Sequence, residues 1–384
     1  MVIFKGSVRP DLTAIPFFTR AVTMGISLMS HLFEPIHLRG VELRHRIIVS
    51  PMCQYSCTDG LANDWHLVHL GSRAVGRAAA IITEAAAVTA DGRISHKDLG
   101  IWSDAHVEPL RRVFSFIEQQ GSVPGMQLAH AGRKASTAEP WKGGKPLSSQ
   151  EGGWSPIMAP SSLPFHDGYQ VPHALSAGEI AGIVTAFADA AQRAEAAGAR
   201  IIELHGAHGY LLHSFLSPLS NQRTDQYGGT FANRIRVVCE AVTAVRKVWP
   251  EQYPLFLRIS ASDWSEGGWT IEDSIALART VKPLGIDLVD CSSGGNVATA
   301  KIPVGPGYQV TFAERVRREA GVQTGAVGMI TSPAQADQII RSGQADVVIL
   351  ARQFLRDPYW PLFAARELGQ NIEWPPQYER AKLR

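Results

Sequence analysis

The stretch LSAGEIAGIVTAFADAAQRAEAAGARIIELHGAHGY, residues 175–210, contains one full unit of the repeat that decides the fold. Residues 175–197 are rich in alanine and have the spacing of a helix, and Gly198 follows where helices commonly end. The apolar run 200–205 comes next and closes in small and polar residues. A helix that leads into a short β-branched run predicts a protein in which strands and helices alternate.

The same kind of apolar run recurs along the chain. The eight runs are residues 46–52, 79–85, 123–129, 200–205, 255–260, 287–291, 322–327 and 346–351. Helical patterns lie between them, for example at 233–248, 271–284 and 334–341, and glycines precede five runs, at Gly121, Gly198, Gly285, Gly321 and Gly343. Eight units in 384 residues fit a single α/β domain, a closed (β/α)8 TIM barrel, better than an open doubly wound sheet. No G-x-G-x-x-G follows the first run, which disfavours a dinucleotide-binding Rossmann domain.

Three segments fall outside the repeat. Residues 1–28 are expected to be an N-terminal extension, either disordered or a weak targeting segment, and residues 29–384 form the barrel domain. Residues 134–174 are rich in Gly, Pro and Ser and are too long for a tight loop after strand three, so we expect an excursion that covers the active face. Residues 373–380 follow the eighth helix as a tail that two prolines stiffen.

Composition excludes several classes of protein. Lys plus Arg number 37 against 35 Asp plus Glu, and without a block of like charge neither a nucleic-acid footprint nor a polybasic membrane patch is indicated. No apolar run approaches the ~20 residues of a membrane span. Four cysteines without a C-x-x-C pair exclude a disulfide scaffold and an all-cysteine zinc site, and favour a reducing, cytoplasmic location.

The pair His205-x-x-His208 is the sharpest chemical feature, because two imidazoles at one strand end can converge on one point. A zinc site is disfavoured, since the pair lacks the Glu of H-E-x-x-H and an acidic third ligand. One histidine could instead be a buried structural donor. The third reading is a pair of neutral N–H donors that stabilise negative charge developing on a substrate oxygen, with the Tyr210 hydroxyl able to deliver a proton.

Polar residues close most of the other runs, and in a barrel the strand ends carry the catalytic groups. They include Ser50-Pro51-Met52-Cys53-Gln54-Tyr55, Glu84-Ala85, Gln127, Arg258, Ser292-Ser293, Gly325–Met329 and Ala351-Arg352. Barrels commonly bind phosphate after strands seven and eight, where Gly328, Ala351 and Arg352 stand. The alternative for this region is a tight turn that binds no ligand. Cys53, taken alone, is typical of a small buried apolar residue.

Taken together and in order, four segments resemble the old yellow enzyme family. They are SPMCQY at 50–55, QLAHAGRK at 127–134, HGAHGYL at 205–211 and SNQRTDQYGG at 220–229. Cys53 and the closing QYER at 377–380 further resemble its thermophilic-like ene-reductase branch. The likeness runs from about Leu32 to Arg380, and no metal belongs to it.

The resemblance implies a barrel that binds FMN non-covalently and is reduced by NADPH or NADH. An activated alkene would then reoxidise it by a ping-pong mechanism, the substrates being enones, quinones or xenobiotics. It implies catalytic roles for His205, His208, Tyr210 and Cys53. The substrate contacts would be Tyr55, Trp102 and Arg380, and the cofactor contacts Ser50, Pro51, Met52, Cys53, Ala85, Gln127, Arg258, Ser293, Gly328, Ala351 and Arg352. Relatives usually have Gly where Ala351 stands.

The resemblance also implies an oligomer, a homodimer or homotetramer, because that branch places the tail arginine, here Arg380, in the partner's active site. Two other functions compete. One is a metal-dependent barrel hydrolase or aldolase that uses His205 and His208, and the other is a flavin-binding protein without catalysis.

Overall fold

The computed structural model describes residues 30–382, so the extension expected at residues 1–28 lies outside the described residues. The strands are β1 (Ile36–Leu38), β2 (Val41–Leu43), β3 (Ile47–Val49), β4 (Ala80–Ala87), β5 (Val123–Ala129), β6 (Met158–Ala159), β7 (His173–Ala174), β8 (Ile201–Gly206), β9 (Leu255–Ser260), β10 (Leu288–Ser292), β11 (Gln323–Ala326) and β12 (Val347–Leu350). The helices are α1 (Asp64–Val75), α2 (Val107–Gln119), α3 (Ala177–Ala197), α4 (Leu211–Leu216), α5 (Phe231–Arg234), α6 (Arg236–Val248), α7 (Ile271–Val281), α8 (Val310–Ala320), α9 (Pro333–Arg341), α10 (Arg352–Arg356) and α11 (Trp360–Glu367).

Eight parallel strands close into one barrel in the order β3-β4-β5-β8-β9-β10-β11-β12, and β12 pairs with β3 again. Each of the eight predicted apolar runs overlaps one of these strands, which confirms the predicted (β/α)8 barrel. The strands are apolar almost throughout because both faces are covered: all of β3 and β12 is buried. The carboxyl ends of the eight strands therefore lie on one face of the barrel, where their polar residues come together.

The helices form the outer layer and follow the predicted signals. In α3 the Ser176 hydroxyl accepts the Glu179 N–H while the Glu179 carboxylate accepts the Ser176 N–H, a capping box that fixes the first turn. Gly198, at φ +105°, ends the same helix in the left-handed region. The packing face of α6 is an apolar stripe at helical spacing that includes Val238, Val242 and Val245.

A hairpin of β1 and β2, which the repeat did not predict, precedes the barrel. Its alternate residues Ile36, Leu38, Val41 and Leu43 are buried. They pack in one cluster with side chains from the first residues of barrel strands: Ile48, Phe256, Leu288 and Val347. The hairpin therefore closes the N-terminal end of the barrel, opposite the strand ends that carry the polar residues.

The excursion and the tail lie at opposite ends of the barrel. Between β5 and α3 the chain forms 3-10 turns and the two-residue strands β6 and β7, and Arg133 ties it to the Asn296 carbonyl, 2.7 Å away, after β10. The tail runs instead past Arg77, just before β4, whose Nε donates to the Glu373 carbonyl at 3.1 Å. None of the described helices is long and apolar enough to cross a bilayer.

Candidate active site

The end of β8 and the turn after it bring His205, His208 and Tyr210 together. The ring centroids of His205 and His208 are 5.2 Å apart, and those of His205 and Tyr210 are 5.0 Å apart, in both cases edge to face. The turn depends on Gly209 at φ +74°, because a Cβ there would lie 2.3 Å from the Gly295 carbonyl oxygen. His208 itself has φ +59°, and its N–H donates to the Ser260 hydroxyl at 2.9 Å.

Both imidazoles are neutral. Burial, reinforced by the positive charge of Arg258, lowers the pKa of His205 and of His208 well below the ordinary value. The Ala207 N–H donates to Nδ1 of His205 at 3.2 Å, so the ring proton is on Nε2. Nε2 of His208 lies 2.7 Å from the Ser292 hydroxyl, and when that hydroxyl donates, Nδ1–H of His208 is left as a donor. The pair can thus offer two N–H groups to one acceptor.

Tyr210 is a protonated phenol, because burial raises its pKa well above the usual value. The ammonium group of Lys134 lies 5.1 Å from the centre of its ring and donates to the carbonyls of His208 at 2.9 Å and Gly295 at 3.1 Å. Burial and the neighbouring Arg133 lower the pKa of Lys134 to about 8. Sequence reasoning gave Lys134 no role, although it lies in one of the motifs.

The loop after β3 carries Cys53 and Tyr55. Burial first, then the carboxyls of Asp98 and Glu84, raises the pKa of Cys53, which is therefore a thiol. Tyr55 has φ +49°, and its ring packs edge to face against Trp141 of the excursion, with the ring centroids 5.7 Å apart. The predicted run 46–52 is longer than the strand, so Ser50, Pro51 and Met52 belong to this loop.

Below the strand ends lies a buried polar layer. Gln127 donates from Nε2 to Glu203 at 2.7 Å, and Ala85 is its register partner on β4. Arg258 donates from Nη1 to the Ser50 hydroxyl at 3.0 Å, and its Nε lies 3.2 Å from Asp290. From the sequence, Gln127 and Arg258 were expected near the strand ends, but the carboxyl groups of Glu203 and Asp290 were not identified.

A cavity of about 300 Å³ opens beside this layer, and its charged lining residues are Arg258, Arg352 and Arg356. Gly328, at φ +106°, and Ala351 also line it. Ala351 has φ −106°, so this position needs no glycine. The start of α10, the glycine turn and the two outer arginines are the donor set that a phosphate group needs, and so the residues present fit FMN. A larger groove, of about 840 Å³, lies outside the barrel between α3 and α6, away from the strand ends.

Three predicted site residues make other contacts in this chain. The Ser293 hydroxyl donates to Gln309 at 2.6 Å, and it is the neighbouring Ser292 that lines the cavity. Trp102 packs against His106, with ring centroids 4.4 Å apart, under the guanidinium of Arg93. Arg380 is exposed in the tail, whose anchor at Arg77 is at the far end of the barrel, so the structure does not bring it into its own chain's site.

This arrangement, a (β/α)8 barrel whose mouth joins neutral imidazoles, a phenol and an arginine-lined cavity, defines a class of cofactor-binding barrel oxidoreductases. Residues 31–371 match the family described as NADH:flavin oxidoreductase / NADH oxidase. An NADPH dehydrogenase of Geobacillus sp. (strain WCH70) is 51% identical over 351 residues, 91% of this chain and 98% of the relative. One of Geobacillus thermodenitrificans is 48% identical over 351 residues, with the same coverage.

Solved structures agree. Morphinone reductase superposes with a TM-score of 0.73 at 26% identity, covering 91% of this chain and 92% of that one. TcOYE in complex with pHBA gives a TM-score of 0.73 at 26% identity, with 90% and 95% covered. The chain belongs to the NADH:flavin oxidoreductase / NADH oxidase family, which confirms the resemblance to old yellow enzymes and the expected FMN with NADPH or NADH as reductant. Within residues 30–382, no group of three or more His, Cys, Asp or Glu side chains is arranged to hold a metal ion.

Proposed function

We propose that the protein is an ene-reductase that transfers a hydride from NADPH or NADH, through FMN, to the alkene of α,β-unsaturated carbonyl compounds by a ping-pong mechanism. The observation that carries this proposal is the pair of neutral imidazoles, His205 and His208, held beside a protonated Tyr210 at the mouth. Quinones and xenobiotics with an activated double bond belong to the same substrate class.

The cofactor would be held by three groups of residues. Gln127 and Arg258 would face the pyrimidine edge of the ring, where a permanent cation favours reduction. The phosphate would lie at Gly328, Ala351 and Arg352. Ser50, Pro51, Met52, Cys53 and Ala85 would line the ring. When bound, FMN would supply the chemistry of accepting a hydride from the nicotinamide and donating one to the alkene.

The substrate carbonyl would accept hydrogen bonds from His205 and His208. Because both imidazoles are neutral, they polarise the alkene and stabilise enolate charge without giving up a proton. The Tyr210 hydroxyl would supply the proton to the α-carbon, and because burial raises its pKa the hydroxyl still carries that proton when the substrate binds. Tyr55 and Cys53 would contact the substrate from the β3 loop.

We also propose a homodimer at least, in which the partner subunit completes the site. The tail is exposed and carries Tyr378 and Arg380 on a 3-10 turn, Pro376–Ala381, that begins at the second of two prolines. Since this tail is anchored at the opposite end of its own barrel, Arg380 can serve a substrate pocket only in a neighbouring molecule.

The test begins with the purified protein. Heat denaturation should release FMN, anaerobic NADPH should bleach the yellow protein, and 2-cyclohexenone should restore the colour. Release of FAD, or of no flavin from fully loaded protein, contradicts the proposal. A colourless zinc protein would point to a metal-dependent hydrolase or aldolase, and a yellow protein that nicotinamides leave oxidised would be a flavin-binding protein without catalysis.

A further inference from the structure

Two carboxyl groups lie fully buried inside the barrel, Glu203 on β8 and Asp290 on β10. Strand β9 separates them, and its Arg258 is in register with Asp290 on one side and with His205, two residues after Glu203, on the other. Alternate strands of such a barrel fill one interior layer, so β8 and β10 place the two carboxyls next to one another, on either side of Arg258.

The surrounding donors are too few for two carboxylates. Gln127 supplies one hydrogen bond, to Oε1 of Glu203. Oε2 of Glu203 and Oδ1 of Asp290 receive none from the described part of the chain, and Oδ2 of Asp290 has only the ion pair with Nε of Arg258, at 3.2 Å. A buried charged oxygen without a donor is strongly disfavoured, and a proton placed between the two carboxyls satisfies both oxygens at once.

The local charges lead to the same result. Arg258 is the cation of this layer, with its Nε 3.2 Å from Asp290, and it balances one carboxylate. The imidazoles of His205 and His208 above it are neutral, and β11 contributes the uncharged Thr324. Two ionised carboxyls would therefore leave an unbalanced negative charge in a dry interior.

We propose that Glu203 and Asp290 share a single proton, held on Glu203 at neutral pH, and that this pair sets what Gln127 and Arg258 present to the flavin ring. Burial and the charge of Asp290 raise the pKa of Glu203, with Arg258 opposing, which agrees with the geometry. The shared proton depends on the buried carboxyls alone, while its effect on the flavin rests on the proposed function.

Glu203 and Asp290 are thus positioning residues. Because the amide nitrogen of Gln127 donates to Glu203, the amide oxygen of Gln127 points away from the two carboxyls and can accept a hydrogen bond from a ligand at the mouth. Asp290 alone counters Arg258, which keeps the pair and the guanidinium neutral in sum. Loss of the shared proton would add a negative charge below the ring and lower the midpoint potential of the bound flavin.

Infrared spectroscopy of the holoenzyme tests the proton directly. The wild type should show the carbonyl stretch of a protonated carboxylic acid at neutral pH, and this band should disappear as the pH is raised. Because burial also raises the pKa of the Asp98 carboxyl, the readout is the difference between wild type and variant. Glu203→Gln and Asp290→Asn should each lose intensity in this band, whereas Glu195→Gln, an exposed control on α3, should keep all of it. A wild type without the band at neutral pH, or a band that both variants retain in full, overturns the proposal.

Potentiometric titration against pH tests the effect on the flavin. Glu203→Gln should match the wild-type midpoint potential at neutral pH, because its neutral amide replaces a neutral acid. At alkaline pH the wild-type midpoint potential should fall further as the shared proton is lost, and Glu203→Gln should not show this additional decrease. If the infrared result holds and the fall persists in Glu203→Gln, the electrostatic role is wrong. A protein that binds no FMN would defeat the proposed function and leave the infrared result standing.

Discussion

His208 is the residue on which the proposed alkene chemistry depends most. Its ring hydrogen-bonds to Ser292 and lies edge to face with His205, so it is fixed before any substrate arrives. Removing one donor to a developing negative charge costs ~2.7 to 4 kcal/mol in comparable sites, about 10²- to 10³-fold in rate. His208→Ala should therefore slow the alkene half-reaction by that factor in stopped-flow experiments and weaken phenol binding.

The matched control is His173→Ala, which removes an exposed imidazole on β7 that pairs with Glu179. It should leave both measurements unchanged. If His208→Ala reduced the alkene at the wild-type rate, the histidine pair would have a structural role.

Tyr210 should act in only one of the two half-reactions. Its hydroxyl is needed for protonation of the α-carbon and not for hydride uptake from the nicotinamide. Tyr210→Phe should slow reoxidation of the flavin by an enone and leave its reduction by NADPH unchanged, while Tyr253→Phe, at the other end of the barrel, affects neither. Reoxidation at the wild-type rate would point to water or Tyr55 as the donor.

At this scale the sequence singles out His205, which closes its apolar run, and the polar residues Gln127 and Arg258, which lie within theirs. Glu203 and Asp290 are single acidic residues within such runs, and only the strand register brings them together. Ser292 lines the cavity and the predicted Ser293 hydrogen-bonds to Gln309, because adjacent residues of a strand point to opposite sides.

The turn that carries His208 is an element supported from behind by α4. The Gly209 N–H donates to Nδ1 of His213 at 2.9 Å, and Nε2 of His213 lies 3.1 Å from Asp263. Asp263 also accepts the Ser217 hydroxyl and the Trp269 N–H. Burial alone would raise the pKa of Asp263, but these contacts outweigh it and lower the pKa to about 2.

Asp263→Asn should therefore destabilise the fold in a pH-dependent way. A carboxyl whose pKa falls from 3.8 in the unfolded chain to about 2 contributes about 2 kcal/mol of stability. That contribution is present above pH 3.8 and is lost as the pH falls towards 2. Urea unfolding of Asp263→Asn and of the exposed control Asp189→Asn across this range measures it. A difference that stays constant down to pH 2 would contradict the assignment.

Among the elements, the eight strand–helix units could be predicted from the sequence, whereas the β1–β2 hairpin was not predicted. Each strand of the repeat is largely apolar, because both faces of a barrel strand are covered. The strands β1 and β2 have three residues each, and their alternation of buried and exposed residues is too short to stand out from a loop. Arg39 and Gly40, at the turn between them, were the signal that could have revealed it.

At the scale of the whole molecule, the tail makes the oligomer testable. Truncation after Trp374 removes Tyr378 and Arg380 but keeps Glu373, whose carbonyl accepts from Arg77, so the barrel should remain intact. The truncated protein should sediment as a weaker dimer and bind enones or nicotinamide less tightly, with FMN still bound. Arg380→Ala should weaken ligand binding while the dimer persists. Unaltered kinetics after truncation, or an active full-length monomer, would exclude a shared site.

The hairpin that closes the N-terminal end also constrains the order of events in solution. With β1 and β2 packed across that end, the described residues leave the side of the strand ends as the approach to the polar layer. Under the proposed function, oxidised nicotinamide and incoming enone would then compete for one entrance and bind one after the other. Each reactant in excess should therefore act as a dead-end inhibitor of the other. Initial-rate plots should consist of parallel lines that bend upward only at high concentrations of the competing reactant.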